Sequence, residues 1–269
     1  MLYVESDNAL GSNAGDVDDA FALAALLRGG QPIAALASVF GNTGEAAASR
    51  NNLAIAALCG WQGTFLRGAA SATRAETMAS RFLADPPERV RVVALGPLTN
   101  LATALRRRLD ADSTWSEVVC VGSDLSSRGR WPPVWPMEFN LTQDRLATCE
   151  VFASAAPLTL VPLDVARRMT VTREDLARLE GPLGSRLRAG ASRWFIRARL
   201  LKWSASFPVW DLVAALYVLD PSLFTVEERS ARAHPNGWIE YAGGPRRVKV
   251  VANFNRNALW SRFLELTNR

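Results

Sequence analysis

The sequence predicts an α/β fold: a single domain, residues 1–269, on an open, mostly parallel sheet with helices on both faces, ending in a helical portion with short strands. Three observations carry that prediction. Apolar, β-rich runs alternate with longer segments whose apolar residues recur at helical spacing. The runs read as parallel strands buried on both faces. Polar residues gather where the runs end, at the edge where an open sheet binds its ligands.

In chain order, strands are expected at Leu2 to Val4, Ile33 to Phe40, Val90 to Leu95, Val118 to Val121 and Leu158 to Leu163. Helices are expected at Asp19 to Arg28, Glu45 to Leu58, Leu98 to Leu109 and Gln143 to Ala155. Their alternation implies right-handed crossovers and a Rossmann-like sheet. From about Thr170 the rhythm changes to helices, then short strands near Ala231, Trp238 and Val248, then a final helix around Leu259. No internal repeat or Pro/Gly-rich linker divides the chain.

The composition, 49% hydrophobic and 21% charged, is that of a globular domain. No apolar stretch approaches the roughly 18 residues that span a bilayer. The opening MLYVESD has neither a basic leader nor an apolar core, so a cytoplasmic protein without a membrane partner is expected. Cys59, Cys120 and Cys149 are odd in number and far apart, and read as free thiols of a reducing compartment. Lysine and arginine total 31 against 26 acidic residues, but they cluster in short groups such as Arg106-Arg107-Arg108 and Arg246-Arg247. Without one coherent basic face, nucleic acid is not an expected partner.

The strand ends carry the chemistry. The first strand ends at Glu5-Ser6-Asp7, and Asp16-Val17-Asp18-Asp19 opens the first helix. Capping accounts for part of this, with Asp16 as N-cap and Asp18 and Asp19 on the positive end of the helix dipole. It does not account for Asp7, which converges on the same volume from the strand. Carboxylates so close repel unless a cation sits among them, and a hard divalent ion held by oxygen is the natural neutraliser. On this segment alone, metal site and heavily capped helix stand level. Asn42 presents an amide at the second strand's end or caps the next helix. In VVALGPLTNLA, the Gly-Pro turn leaves the carbonyl of Leu95 outside the ladder, able to face a cation. In MEFNLTQD, Glu138 and Asn140 precede a helix, and a carboxylate between Met137 and Phe139 suits a ligand contact better than a cap. Asp211 starts the apolar helix of VWDLVAAL, where N-cap is its structural role.

Taken together, these motifs resemble the nucleoside hydrolase family, the Ca²⁺-dependent N-ribohydrolases related to inosine–uridine hydrolase, over nearly the whole chain. The family opens on Asp-x-Asp-Pro-Gly-x-Asp-Asp-Ala. Glu5-Ser6-Asp7 resembles its first half and Asp16-Val17-Asp18-Asp19-Ala20 its second, with Asn8 to Gly15 as an inserted loop. VFGNTGEAAASRNN is similar to the Gly-Asn strand end, ALGPLTNLA to the internal motif and EFNLTQD to the Glu-Phe-Asn element. LVPLDV and VWDLVAA follow in the expected order. The resemblance implies one Ca²⁺ held by the side chains of Asp7, Asp19 and Asp211 and the carbonyl of Leu95, with Asp7 also the general base for the attacking water. It implies that Asp18, Asn42, Glu138 and Asn140 bind ribose hydroxyls, and that the substrate is a nucleoside or related N-riboside split into ribose and base. A ring of carboxylates suits the positive charge that builds on the sugar during such a cleavage. Members are commonly dimers or tetramers, which leaves a homo-oligomer as an open expectation.

Three departures mark this chain. Glu5 stands where the family has Asp, and an ungapped match would put Ser12 and Ala14 at the leading Asp positions. Leu2 to Asp7, read as a strand ending at Asp7, favours the gapped match. Trp210 stands where the family has a histidine proposed to protonate the departing base. It is expected to contact the base, but an indole N–H is no practical acid. His234, in AHPNGW, is read as an exposed turn residue. Finally, the segment Arg67 to Arg89 is short and Pro132 replaces an expected asparagine, while Trp131 and Trp135 either stack on a base or pack their own loop. The alternative to the hydrolase is a Ca²⁺- and ribose-binding relative that has lost turnover. A Mg²⁺ phosphohydrolase is disfavoured, because Glu5 replaces the nucleophile and no phosphate-binding Gly-Lys loop is present.

Overall fold

In the computed structural model, residues 1–12, 16–73, 75–125, 138–200, 206–241 and 243–269 are described, with the backbone alone for 196–200. The first apolar run forms β1 (Leu2–Ser6), whose alternation sends Leu2 and Val4 into one core and Tyr3 into another. There follow α1 (Asp18–Arg28), β2 (Ile33–Ser38), α2 (Glu45–Leu58), β3 (Phe65–Leu66), α3 (Met78–Ala84), β4 (Val90–Ala94), α4 (Thr99–Arg107) and β5 (Trp115–Val121). The second half contains α5 (Asn140–Gln143), α6 (Arg145–Ala153), β6 (Leu158–Val161), α7 (Leu163–Ala166), β7 (Thr170–Thr172) and α8 (Arg173–Ala177). It closes with α9 (Gly181–Leu200), β8 (Ser206–Pro208), α10 (Trp210–Leu219), β9 (Phe224–Ala233), β10 (Ile239–Glu240), β11 (Arg246–Phe254) and α11 (Arg256–Thr267).

Nine strands form one sheet in the order β10-β9-β11-β6-β5-β4-β1-β2-β3, and β7 and β8 pair separately. From β3 across to β11 every neighbouring pair is parallel; β9 and β10 join antiparallel. The chain builds outward from β1 to β3 on one side and from β4 to β6 on the other. The winding therefore reverses between β1 and β4, and the crevice at their carboxyl ends is the binding position of such a sheet. Asp7 and Leu95 are the residues that leave these two strands.

Helix α1 is buried from Asp18 to Leu26 and α10 from Trp210 to Val218. A helix apolar around its circumference must be covered on all sides, and these two pack against each other in the core on one face of the sheet. Fully buried side chains such as Phe21, Leu23 and Leu26 each contribute about 1.5–3 kcal/mol. The core therefore holds both helices rigidly, and the amino ends of α1 and α10 meet.

The predicted strands and helices of the first half are all present, and the differences are local. Pro162 ends β6 early and leads into α7, where the strand was expected to run to Leu163. The single helix expected at Gln143 to Ala155 is two, because the Asp144 side chain accepts from Ala147 N at 3.0 Å and starts α6 afresh. The short strands expected near Ala231 and Val248 are a ten-residue β9 and a nine-residue β11. They pair antiparallel at the sheet's edge, where one face is wet and charged residues such as Glu227, Glu228, Arg229 and Arg247 interrupt the apolar pattern. Among the described residues, no helix is long and apolar enough to cross a membrane. Cys59, Cys120 and Cys149 form no disulfide among the described residues. The expectations for Trp131, Pro132 and Trp135, and for Ala14 and Gly15 of the inserted loop, lie outside the described residues.

Candidate active site

Glu5, Ser6, Asp7 and Asn8 are fully buried where β1 ends. Several of their polar groups are bound by elements arriving from other parts of the sheet, while Glu5 Oε1 and Asn8 Nδ2 have no partner among the described residues. Asn52 of α2 donates from Nδ2 to the carbonyls of Ser6 (3.3 Å) and Ala37 (3.2 Å), tying the ends of β1 and β2 together. Ser6 Oγ donates to Asp19 Oδ1 at 2.6 Å, fixing the start of α1 against the strand. Glu5 Oε2 accepts from Tyr3 Oη (2.9 Å) and Asn100 Nδ2 (3.0 Å). Asn100, from the GPLTN stretch, also accepts from Ala69 N at 2.9 Å.

Asp7 Oδ2 accepts from the backbone N–H of Asn42 at 2.7 Å, and Oδ1 from its side-chain amide at 3.5 Å. Asn42 does not cap α2, whose N-cap is Gly44. Two glycines admit the aspartate: a Cβ at Gly41 would lie 1.8 Å from Asp7 Oδ2, and one at Gly96 3.2 Å from its Cγ. Nor does Asp211 act as a cap. It sits in the first turn of α10 behind Val209, and its N–H donates to Asp18 Oδ2 at 3.2 Å. Helix α1 likewise begins without a side-chain cap, behind Val17 rather than the expected Asp16. No aspartate is thus the N-cap of either helix, while Asp18 and Asp19 do lie in the first turn of α1, at the positive end of its dipole, as expected.

The structure brings together the aspartates named from the sequence, Asp7, Asp18, Asp19 and Asp211, and adds Asp16. One oxygen each from Asp16, Asp18 and Asp19 lie within 4.8 Å of one another. Burial pushes Asp7 up to about 7, and burial followed by mutual repulsion raises Asp16, Asp19 and Asp211. Asp18 is also raised, chiefly by burial. No ion pair among the described residues involves any of the five. Asp16 Oδ1, Asp18 Oδ1 and Asp19 Oδ2 are buried without a hydrogen-bond partner among the described residues. Buried ionised carboxylates must be paired, protonated or bound to a metal. The all-oxygen donor set, with orphaned oxygens, fits a hard divalent cation. Asp16 is the residue missed as a site member. Its signal was there, three aspartates in four positions, but the capping role absorbed it.

The far side of the crevice is built differently. The Leu95 carbonyl is outside the strand ladder, as expected, and accepts from Asn140 Nδ2 at 3.1 Å; the same amide reaches Val121 O at 3.4 Å. Glu138 lies one residue before the N-cap position of α5, which Phe139 holds without a side-chain cap, in keeping with its reading as a poor cap. Its Oε1 accepts from Leu141 N at 2.8 Å and its Oε2 from Ser123 N, just past the end of β5. Burial raises Glu138 to about 7. Trp210 is 8% exposed and immediately precedes Asp211. His234 pairs with Glu240 at 3.0 Å beside the β9–β10 turn, the turn residue expected.

Comparison with known proteins supplies the family and the fold. The family model for inosine-uridine preferring nucleoside hydrolases matches residues 12–261. The match begins at residue 12, where the ungapped reading of the opening motif would start, and leaves out β1; Asp7 comes beside Asp18 and Asp19 through the fold. The pyrimidine-specific ribonucleoside hydrolase RihA of Shewanella woodyi is 31% identical over 143 residues, 52% of this chain and 45% of that protein. Uridine nucleosidase 1 of Arabidopsis thaliana is 30% identical over 175 residues, 62% of this chain and 51% of the relative. The chain thus spans about half the length of the curated relatives it matches. Among solved structures, the plant nucleoside hydrolase PpNRh1 superposes with a TM-score of 0.85 at 20% identity, covering 100% of this chain and 99% of that one. The purine-preferring ribonucleoside hydrolase from Gardnerella vaginalis gives 0.83 at 19% identity, covering 99% and 97%. At such identities these two likenesses speak for the fold. With the family model spanning all but the ends of the chain, the protein belongs to the inosine-uridine preferring nucleoside hydrolase family.

Proposed function

We propose that this chain is a Ca²⁺-dependent N-ribohydrolase that splits a ribonucleoside, or a related N-riboside, into ribose and free base, in cytoplasmic nucleoside salvage. The observation that carries the reading is the group of buried aspartates, several with orphaned oxygens, at the switch point of a sheet in this family. Asp7, Asp19 and Asp211 would hold the ion by side chain and Leu95 by its carbonyl, with Asp16 close enough to join them. When bound, Ca²⁺ supplies the positive charge these carboxylates require and Lewis-acid activation of water.

The chain's own residues do the rest. Asp7, oriented by both donors of Asn42, takes a proton as the water oxygen bonds the anomeric carbon and the C–N bond breaks. Asp18, Asn42, Glu138 and Asn140 hold the ribose hydroxyls. The ring of carboxylates stabilises the cationic sugar. The electron pair leaves with the base nitrogen, which Trp210 contacts and which solvent protonates.

The first test is thermal unfolding of chelator-stripped protein with and without Ca²⁺, with Mg²⁺ as control. Ligand at about 100 times its Kd stabilises by roughly 2.7 kcal/mol, several degrees in Tm. A panel of ribosides with a reducing-sugar readout follows. No Ca²⁺ shift in metal-free protein sinks the reading. A second reading, ribose and Ca²⁺ binding without turnover, is favoured by one observation: an indole stands before Asp211 where the family has an imidazole. A Ca²⁺ shift with no sugar released from any riboside would select it.

A further inference from the structure

Past the carboxylates, the same sheet edge carries a strained residue. Ser123, just beyond β5, has φ 74°, the one non-glycine at positive φ among the described residues. A side chain is disfavoured there and persists only where surrounding contacts impose it. Ser123 is 1% exposed, and each of its polar groups is engaged. Its N–H donates to Glu138 Oε2. Its carbonyl accepts from Leu163 N at 2.9 Å. Its Oγ shares a hydrogen bond with the hydroxyl of Tyr241, which is 118 positions away in sequence and follows β10 in the antiparallel part of the sheet.

The left-handed backbone aims the Ser123 N–H at Glu138; extended backbone would turn it elsewhere. Glu138 is held by this N–H and by Leu141 N, one on each oxygen. If one donor is lost, the carboxylate pivots about the other. Gly122 leaves the space, since a Cβ there would lie 2.9 Å from Glu138 Oε2.

We infer that Tyr241 is a positioning residue for Glu138, holding Ser123 in its strained conformation so that the carboxylate is presented to the sugar. The inference rests on the reading of Glu138 as a ribose contact. It makes the hairpin at the far edge of the sheet part of the sugar site.

The test is Tyr241→Phe, alone and with Ser123→Gly, beside Glu138→Gln, all in Ca²⁺-loaded protein. Tyr241→Phe should raise KM for a cleaved ribonucleoside about tenfold and reduce its preference over the 2′- and 3′-deoxy analogues, with the Ca²⁺-induced Tm shift unchanged. Adding Ser123→Gly should recover most of the KM, because glycine adopts φ 74° unaided. A role in stability alone predicts no such rescue. An unchanged KM in Tyr241→Phe, or a raised one that Ser123→Gly leaves raised, overturns the inference. If Glu138→Gln leaves KM unchanged, or no riboside is cleaved, it is the ribose-contact or hydrolase reading that fails. The crystal structure of Tyr241→Phe then decides the positioning by itself. Glu138 displaced from Ser123 N supports it, and Glu138 in place rejects it.

Discussion

The two sides of the crevice solve opposite electrostatic problems. On the β1–α1–α10 side, Asp7, Asp18, Asp19 and Asp211 are buried beside the half-buried Asp16 and repel one another, and oxygens of Asp16, Asp18 and Asp19 have no partner among the described residues. On the β5–α5 side, Glu138 is equally buried, yet both its oxygens accept backbone N–H groups. One side is incomplete as the protein alone, and the other is complete. Packing the first costs free energy that only a proton or a cation recovers. The second is assembled by the fold.

That contrast can be broken at its strongest point. Asp7→Ala and Asp211→Ala each remove a carboxylate of the first side. Each is expected to abolish the Ca²⁺-dependent Tm shift and to lower kcat/KM by about a thousandfold or more, through loss of the metal and, for Asp7, of the base as well. Asp7→Ala protein that binds Ca²⁺ as tightly as wild type would show the gapped reading of the opening motif to be wrong.

A pH series sharpens the contrast. Asp7 and Glu138 both rise to about 7 on folding, chiefly by burial. The native state therefore binds their protons more tightly than the unfolded chain does. Stability is fullest below the unfolded pKa values and is lost as pH climbs toward 7. Metal-free protein should thus melt higher at pH 5 than at pH 8. Saturating Ca²⁺ should reverse the order for the aspartate side and leave the share of Glu138 in place. A metal-free Tm that rises with pH through this window would contradict the burial of unpaired carboxylates.

The smallest effect is expected outside the contrast. His234 and Glu240 form a half-exposed pair, with side chains 38% and 37% accessible. Such pairs contribute about 0–1 kcal/mol. His234→Ala should change kcat/KM less than twofold, whereas a tenfold loss would make this histidine the missing acid.

Much of the site was legible because its residues lie in order at strand ends. Asp7, Asn42, Leu95, Asn140 and Asp211 each follow an apolar run or open a helix, and alternation of strand and helix sends those ends to one edge. Asp16 was assigned to a cap that Val17 holds, because capping was judged from neighbours in sequence. What the sequence did not reveal about Glu138 is that Leu141 N and Ser123 N, at the end of β5, hold its two oxygens. The lengths of β9 and β11 were hidden similarly, since an edge pair with one wet face carries charges that interrupt its apolar pattern.

The α/β class, the order of the strands along the chain and the residue types that favour oxygen coordination and a sugar can be read from the chain alone. These follow from periodicity and from chemistry carried by each residue. It took the folded chain to show that the winding reverses between β1 and β4, that the amino ends of α1 and α10 meet, and that Tyr241 reaches Ser123. Those facts depend on which surfaces find one another when two cores close around the sheet. No local pattern records a contact made 118 positions away.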